Sequence, residues 1–165
     1  MPSLESITLR TDLRPGDIGT ITRLHGQLYN KEYGWGIGFE AYVASGLAEF
    51  YEHYDPSRSR IWIAEDDGAF VGCLVLLDRG EAAQLRYYLV LPEYRGIGLG
   101  KKLMSLFMDF YRTCGYRSAY LWTTRDLESA AHLYTRVGFQ LAEEKESGGF
   151  GRAVIEQRYE LVQTT

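Results

Sequence analysis

The chain has 165 residues, enough for one domain with a hydrophobic core and too few for two ordinary ones. Apolar residues make up 45% and charged residues 24%, the balance of a globular protein, and a formal net charge of -4 argues against a chain built mainly to bind nucleic acid. No apolar run approaches the roughly 20 residues of a spanning helix, and "MPSLESITLR" lacks the apolar centre of a signal peptide, so a cytoplasmic protein without a membrane partner is expected.

In chain order, "SITLR" has the short alternation of a strand, and "RPGDIGTITRLHGQLYNKEYG" predicts a helix entered near Pro15 to Asp17 and broken at Gly34. Phe39, Tyr42, Val43, Leu47, Phe50 and Tyr51 repeat at helical spacing, with Pro56 as the stop. "RIWIAEDDGAFVGCLVLLD" reads as two strands joined at Asp67 and Gly68, a pair suited to the positive φ of a tight hairpin. A further strand, "AAQLRYYLVL", ends at Pro92. Leu99, Leu103, Leu106, Phe107, Phe110 and Cys114 then form an amphipathic helical stripe closed by Gly115. "SAYLWTT" is another strand. Leu127, Ala130, Ala131, Tyr134 and Val137 make a second helical stripe ended by Gly138, and "GFQLAEE" and "AVIEQRYELV" form a final antiparallel pair around "KESGGFG". This order implies an α/β fold with a mixed sheet covered by helices on both faces. Cys73 and Cys114 form no close pair, and His25, His53 and His132 have no metal-ligand spacing, so reduced thiols and no metal site are expected.

The stretch "LVLPEYRGIGLGKK" places Arg95, Gly96, Gly98 and Gly100 between a strand and a helix. Alternate glycines permit positive φ and let backbone N–H groups converge on an anion, while the following helix adds its N-terminal dipole. Arg95 with Lys101 or Lys102 adds charge. The same glycines would also serve a tightly packed strand-to-helix turn. A P-loop requires a hydroxyl after Gly-Lys, and Lys102 stands there. A dinucleotide fingerprint requires its third glycine one residue later and in the first βαβ unit. A pyrophosphate is the guest that best fits what remains.

"VLPEYRGIGLGKKLM" resembles the acyl-CoA pyrophosphate loop of the GNAT superfamily of N-acetyltransferases, whose pattern Arg/Gln, X, X, Gly, X, Gly/Ala is matched by Arg95, Gly98 and Gly100. "LWTTRDLESAAHLYTRVGFQ" is similar to the family's next strand and helix, with the ending "A..LY...GF". The resemblance covers about residues 5 to 162 as a single domain. It implies the GNAT fold: a mixed sheet of about seven strands flanked by helices. More narrowly, "HGQLYNKEYGWGIGFEAYVASGLAEFYEHYD" and "AQLRYYLVLPEYRGIGLG" resemble the acetyltransferase half of proteins in which a MarR-type regulator is fused to a GNAT domain. The chain is too short to include that regulator.

The resemblance implies acetyl-CoA as the donor and a primary amine of a small molecule or peptide as acceptor, by direct transfer in a ternary complex. Tyr88, Leu89 and Val90 are expected to contact the thioester arm, with a backbone N–H near Leu89 or Val90 polarising its carbonyl. Arg95, Gly96, Ile97, Gly98, Leu99, Gly100 and Lys101 are expected to hold the pyrophosphate, and Thr124, Leu127 and Ala130 to line the cofactor's other side. Tyr134, at the family's tyrosine position, is expected to protonate the departing thiolate. The carboxylate base common in the family is not at its usual place, where Gln84 stands; Glu32, Glu40 and His25 are the other candidates. Tyr29, Glu32, Tyr33 and Trp35 are expected to line the acceptor pocket. A non-catalytic acyl-CoA-binding regulatory domain is the alternative. Oligomeric state stays open, homodimers being common among similar proteins.

Overall fold

The structure is a computed structural model and describes residues 1–162. Along the chain run β1 (Ile7–Arg10), α1 (Asp17–Tyr33), α2 (Ile37–Glu52), β2 (Arg60–Asp66), β3 (Ala69–Arg79), β4 (Ala82–Val90), α3 (Leu99–Cys114), β5 (Ser118–Thr124), α4 (Glu128–Arg136), β6 (Gln140–Ser147) and β7 (Val154–Val162). Each predicted element is present. The β2–β3 hairpin turns on Asp67 and Gly68, at φ 50° and 81°, the twist that matches right-handed strands. Glycines in the left-handed region close α1 at Gly34 and α3 at Gly115.

The seven strands form one mixed sheet in the order β1-β2-β3-β4-β5-β7-β6. β4 and β5 are its parallel pair. They are joined by the α3 crossover, as a parallel connection requires. Alternation along the central strands sorts the core into two layers. Ile61, Ile63, Cys73, Val75 and Leu77 pack beneath Ile21 of α1 and Val43, Leu47 and Phe50 of α2. Trp62, Ala64, Leu74, Leu76, Ala83 and Leu85 meet Leu103, Met104 and Phe107 of α3 on the opposite face. Such continuous apolar runs are what strands covered on both faces need. Leu103 has no exposed surface, and truncating such a residue to alanine costs about 2–5 kcal/mol.

Arg10 ties β1 to the start of α1. Its guanidinium donates to both Asp17 oxygens, at 2.8 and 2.6 Å, and the Arg14 N–H donates to the same carboxylate at 2.7 Å. Cys73 is buried and Cys114 partly so, and both are free thiols. No group of three or more potential metal-ligating side chains occurs among the described residues, and no helix among them is long and apolar enough to cross a membrane.

Candidate active site

The site begins where the sheet opens. β4 and β5 pair only from Ala82↔Ser118 to Gln84↔Tyr120, whereas β5 stays paired with β7 over its whole length to Thr124↔Glu156. Beyond Gln84, β4 therefore diverges and leaves a wedge. Its register with β3 shifts between Cys73 and Val75, where Tyr87 adopts φ 57°. A bulge bends and twists its strand, and this one carries β4 away from β5. Past the bulge, the Leu91 N–H donates to the Val71 carbonyl at 2.9 Å. Antiparallel alternation then turns the Leu89 N–H toward β3 and the Val90 N–H toward the open wedge, so Val90 is the residue able to offer an oxyanion donor there.

One branch of the wedge is a cavity of about 630 Å3 between the glycine loop and the start of α4. Tyr88, Leu89, Val90, Arg95, Gly96, Gly98, Gly100, Lys101, Leu127 and Ala130 line it, as expected for the cofactor. Gly96 and Gly98 lie at φ 81° and 93°, and Gly98 caps α3 without a side chain. The first bond closing α3 runs from the Lys102 N–H to the Gly98 carbonyl, at 3.0 Å. Among the described residues the N–H groups from Gly96 to Lys101 meet no backbone acceptor, and unpaired N–H groups at a helix N-terminus suit an anion. A pyrophosphate fits this chemistry.

Three expected cofactor residues lie elsewhere. Leu99 is buried and packs with Ile97 against the α3 core, because alternate loop residues must anchor the turn so that the glycines can face outward. Only their backbone faces the loop surface. Thr124 lines the other branch of the wedge. Gly100 has a packing role as well: a Cβ there would stand 2.4 Å from the Tyr88 hydroxyl. Arg95 is held by the protein itself. It donates to both Glu32 oxygens at 2.9 and 2.8 Å and through Nε to the Val90 carbonyl at 3.2 Å. The Arg95 hydrogen bond and charge hold the Glu32 carboxyl below the usual carboxylate range.

The second branch is a narrow cavity of about 110 Å3 between α1, α2 and the sheet. Its aromatic walls include Tyr29, Trp35, Phe39, Tyr42 and Phe150, and its far side Trp122, Thr124 and Glu156. Phe150 arrives from the β6–β7 loop, with its ring centroid 4.9 Å from Trp35 and 5.1 Å from Phe39. The loop is tied down by the Gly36 N–H donating to the Phe150 carbonyl at 2.8 Å. Among the expected acceptor residues, Tyr29 lines both cavities, Trp35 this one, and Tyr33 the cofactor branch. Glu32 lines neither, being committed to Arg95. His25, a candidate base from the sequence, lines this branch; sequence reasoning did not place Arg86, Tyr42, Trp122, Phe150 or Glu156 there, and only the aromatic residues among these carried any hint.

Tyr29, Tyr88 and Leu127 line both branches, so the two cavities meet there. The Tyr29 hydroxyl donates to the Tyr88 carbonyl at 3.3 Å. Tyr134 lines the acceptor branch, its ring 6.4 Å from that of Tyr88. Burial pushes the Tyr134 phenol well above its ordinary range, so it stays protonated. His25, 2% exposed, binds the Ile21 carbonyl through Nδ1 at 2.8 Å, which makes Nδ1 the protonated nitrogen and leaves Nε2 a bare lone pair without a partner. Burial lowers its pKa to about 4. Glu40 instead packs on α1, where a Cβ on Gly26 would stand 2.3 Å from its Oε1. The Gln84 side-chain oxygen accepts from Arg79 Nε at 2.9 Å.

A wedge between parallel strands, with unpaired loop N–H groups at one end and a small polar-aromatic pocket at the other, is a layout that suits an acyl-CoA-dependent acyltransferase. Residues 26–139 match the model of the acetyltransferase (GNAT) family, and the chain belongs to that family. It is 33% identical over 98 residues to the uncharacterized N-acetyltransferase YjgM of Escherichia coli, covering 57% of this chain and 59% of that protein. It is 27% identical over 145 residues to the spermidine N(1)-acetyltransferase of Escherichia coli, covering 86% of this chain and 76% of that one. The fold matches yncA of Salmonella typhimurium, solved with its cofactor acetyl-CoA, at a TM-score of 0.71 and 20% identity, over 95% of this chain and 94% of that one. The protein is thus an acetyltransferase that uses acetyl-CoA.

Proposed function

We propose that the protein transfers the acetyl group of acetyl-CoA to a primary amine of a small molecule or peptide, directly and in a ternary complex, from a single domain over residues 5–162. The observation that carries this reading is the meeting of the two cavities at Tyr29, Tyr88 and Leu127, with Tyr134 on the acceptor side. One cavity has the backbone donors for a pyrophosphate; the other, at about 110 Å3, is of a size for a small acceptor group.

Acetyl-CoA supplies an activated thioester. Within the wedge, Val90 N–H stabilises negative charge developing on the acyl oxygen, a contribution that in other sites is worth about 2.7–4 kcal/mol. The protonated Tyr134 hydroxyl delivers its proton to the leaving sulfur. An amine of pKa about 10.4 is mostly protonated at neutral pH, so deprotonation has to precede attack. His25 lines the acceptor wall, and its buried Nε2 is a basic atom without a partner. Its lowered pKa suits it to accept a hydrogen bond from the neutral amine and orient the nitrogen lone pair, while the proton passes to solvent.

Resemblance to the acetyltransferase half of MarR-type fusion proteins is part of the same reading and bears on that catalytic half only. A cytoplasmic location and a homodimer are the accompanying expectations. The reading is tested by free-thiol release from acetyl-CoA with polyamines, amino acids, aminoglycosides and peptides. Turnover of at least one class supports it. Tight acetyl-CoA binding without turnover across the panel would favour the non-catalytic alternative.

A further inference from the structure

The acceptor cavity is lined by an arginine, Arg86, that has no ion-pair partner among the described residues. Leu85 belongs to the α3 layer, so strand alternation turns Arg86 toward α1 and α2. The bulge then places Tyr87 on that face too, in the layer of Val43 and Leu47. Consecutive side chains thus stand side by side, the Arg86 guanidinium 4.4 Å from the Tyr87 ring centroid and 4.9 Å from that of Tyr42.

α2 makes room for this pair. At Gly46 a Cβ would stand 1.9 Å from the Tyr87 hydroxyl and 3.1 Å from both Nη1 and Nη2 of Arg86. A helix-interior glycine costs about 1 kcal/mol relative to alanine, and here its absent side chain is the space in which a hydroxyl and a guanidinium converge. No acceptor meets them. Arg86 Nη2 and Tyr87 Oη are both buried without a hydrogen-bond partner, and Arg86 makes no ion pair among the described residues. Arg86 also lines the neighbouring cavity at Gly46, with Glu49 and Asp78, and neither carboxylate pairs with it. Buried donors without acceptors are costly, and planar guanidinium edges match a carboxylate.

We propose that Arg86 and Tyr87, brought together by the β4 bulge and seated on Gly46, form a subsite for a carboxylate of the acetyl acceptor, which makes the acceptor an amino acid or a peptide bearing a free C-terminus rather than a polyamine. This rests on the acetyl-transfer reading above. The amine of such an acceptor extends from this subsite toward Tyr134 and the junction of the two cavities. Glu156, the carboxylate on the opposite wall, is the feature that a polyamine would use instead, and the experiment decides between them.

Thiol release from acetyl-CoA is measured on the full chain with the standard L-amino acids and a set of dipeptides, each beside its C-terminal amide. Lysine is paired with cadaverine, and spermidine is included. Wild type is compared with Arg86→Gln, Arg86→Lys and Tyr87→Phe. Wild type should prefer the free carboxylate by at least about tenfold in kcat/KM. Arg86→Gln should bring that ratio close to unity, mainly through KM, and Arg86→Lys should restore part of it. Tyr87→Phe, which keeps the ring and removes only the hydroxyl, should lower it to an intermediate value. Acetyl-CoA affinity by calorimetry should change by less than about twofold in each. Free amino acids preferred over dipeptides identify the monomer as acceptor, and the reverse identifies a peptide terminus; either supports the subsite. Amides, cadaverine or spermidine turned over as well as the carboxylates, or a preference that survives Arg86→Gln, overturns the subsite and leaves acetyl transfer standing. Absence of turnover with every acceptor overturns both.

Discussion

Arg95 and Glu32, 63 positions apart, face each other fork to fork: the two guanidinium nitrogens meet the two carboxylate oxygens at 2.9 and 2.8 Å. The arginine that opens the glycine loop is therefore braced by α1, and its Nε holds the last carbonyl of β4. Its side chain therefore shapes the loop, and on the proposed reading the backbone carries most of the anion binding.

This predicts a separable effect. Glu32 and Arg95 are partly exposed, and such pairs contribute about 0.2–1 kcal/mol to stability. Arg95→Gln should leave the urea midpoint nearly unchanged while weakening acetyl-CoA about tenfold by calorimetry, because loop geometry and charge are lost together. Glu32→Gln keeps the charge and loses the brace, so its effect on acetyl-CoA should be smaller. Equal losses in both variants would refute the division of labour.

Gly98 lies at φ 93° in open surroundings, where an added Cβ would meet only Leu4, at 3.7 Å. Valine there would be strained by about 1–3 kcal/mol and would swing the loop N–H groups out of register. Gly98→Val should therefore bind acetyl-CoA at least about a hundredfold more weakly and remain folded by circular dichroism. Undiminished binding would remove the pyrophosphate cradle.

Tyr134→Phe deletes one hydroxyl from a buried ring. It should lower kcat by about 100-fold, the lower end of general acid contributions, with acetyl-CoA affinity unchanged. Because burial holds the phenol above its ordinary range, the wild-type rate should show no loss of a catalytic acid up to about pH 9.5, just below an ordinary tyrosine. Rates equal to wild type in the Phe variant would eliminate Tyr134 as the acid.

His25 links stability to pH. Its folded pKa of about 4 lies below the unfolded value of about 6.5, so the unfolded chain binds more protons between those limits. Stability should accordingly be full above about pH 7 and fall as pH drops from about 6.5 toward 4, by on the order of 3 kcal/mol from this group. In His25→Gln the slope of the urea midpoint over that range should flatten, whatever the absolute stability of the variant. A slope identical to wild type would show that His25 is not buried in its neutral form.

The helices, the strands and the hairpin at Asp67 and Gly68 were legible in the residues, because apolar period and glycine φ are local properties. So was the proposed anion cradle, whose glycine spacing and following helix lie within a dozen consecutive residues. Tyr134 stood out through the motif around it, since its periodicity alone describes a core residue. What the residues could not reveal was how β4 is paired. Register depends on a partner strand, and the bulge at Tyr87 follows from fitting β3 against β4 while β5 is held by β7. That one irregularity splays the sheet, aims the Val90 N–H into the wedge and sets Arg86 beside Tyr87 over Gly46. Distance in sequence concealed the rest: Glu32 reaches Arg95, and Phe150 closes a pocket built from α1 and α2, through contacts that exist only once the chain has folded. Local sequence thus determined the glycine turn and the motifs whose resemblance implies an acyl-CoA, and tertiary packing decided which side chains line the second cavity.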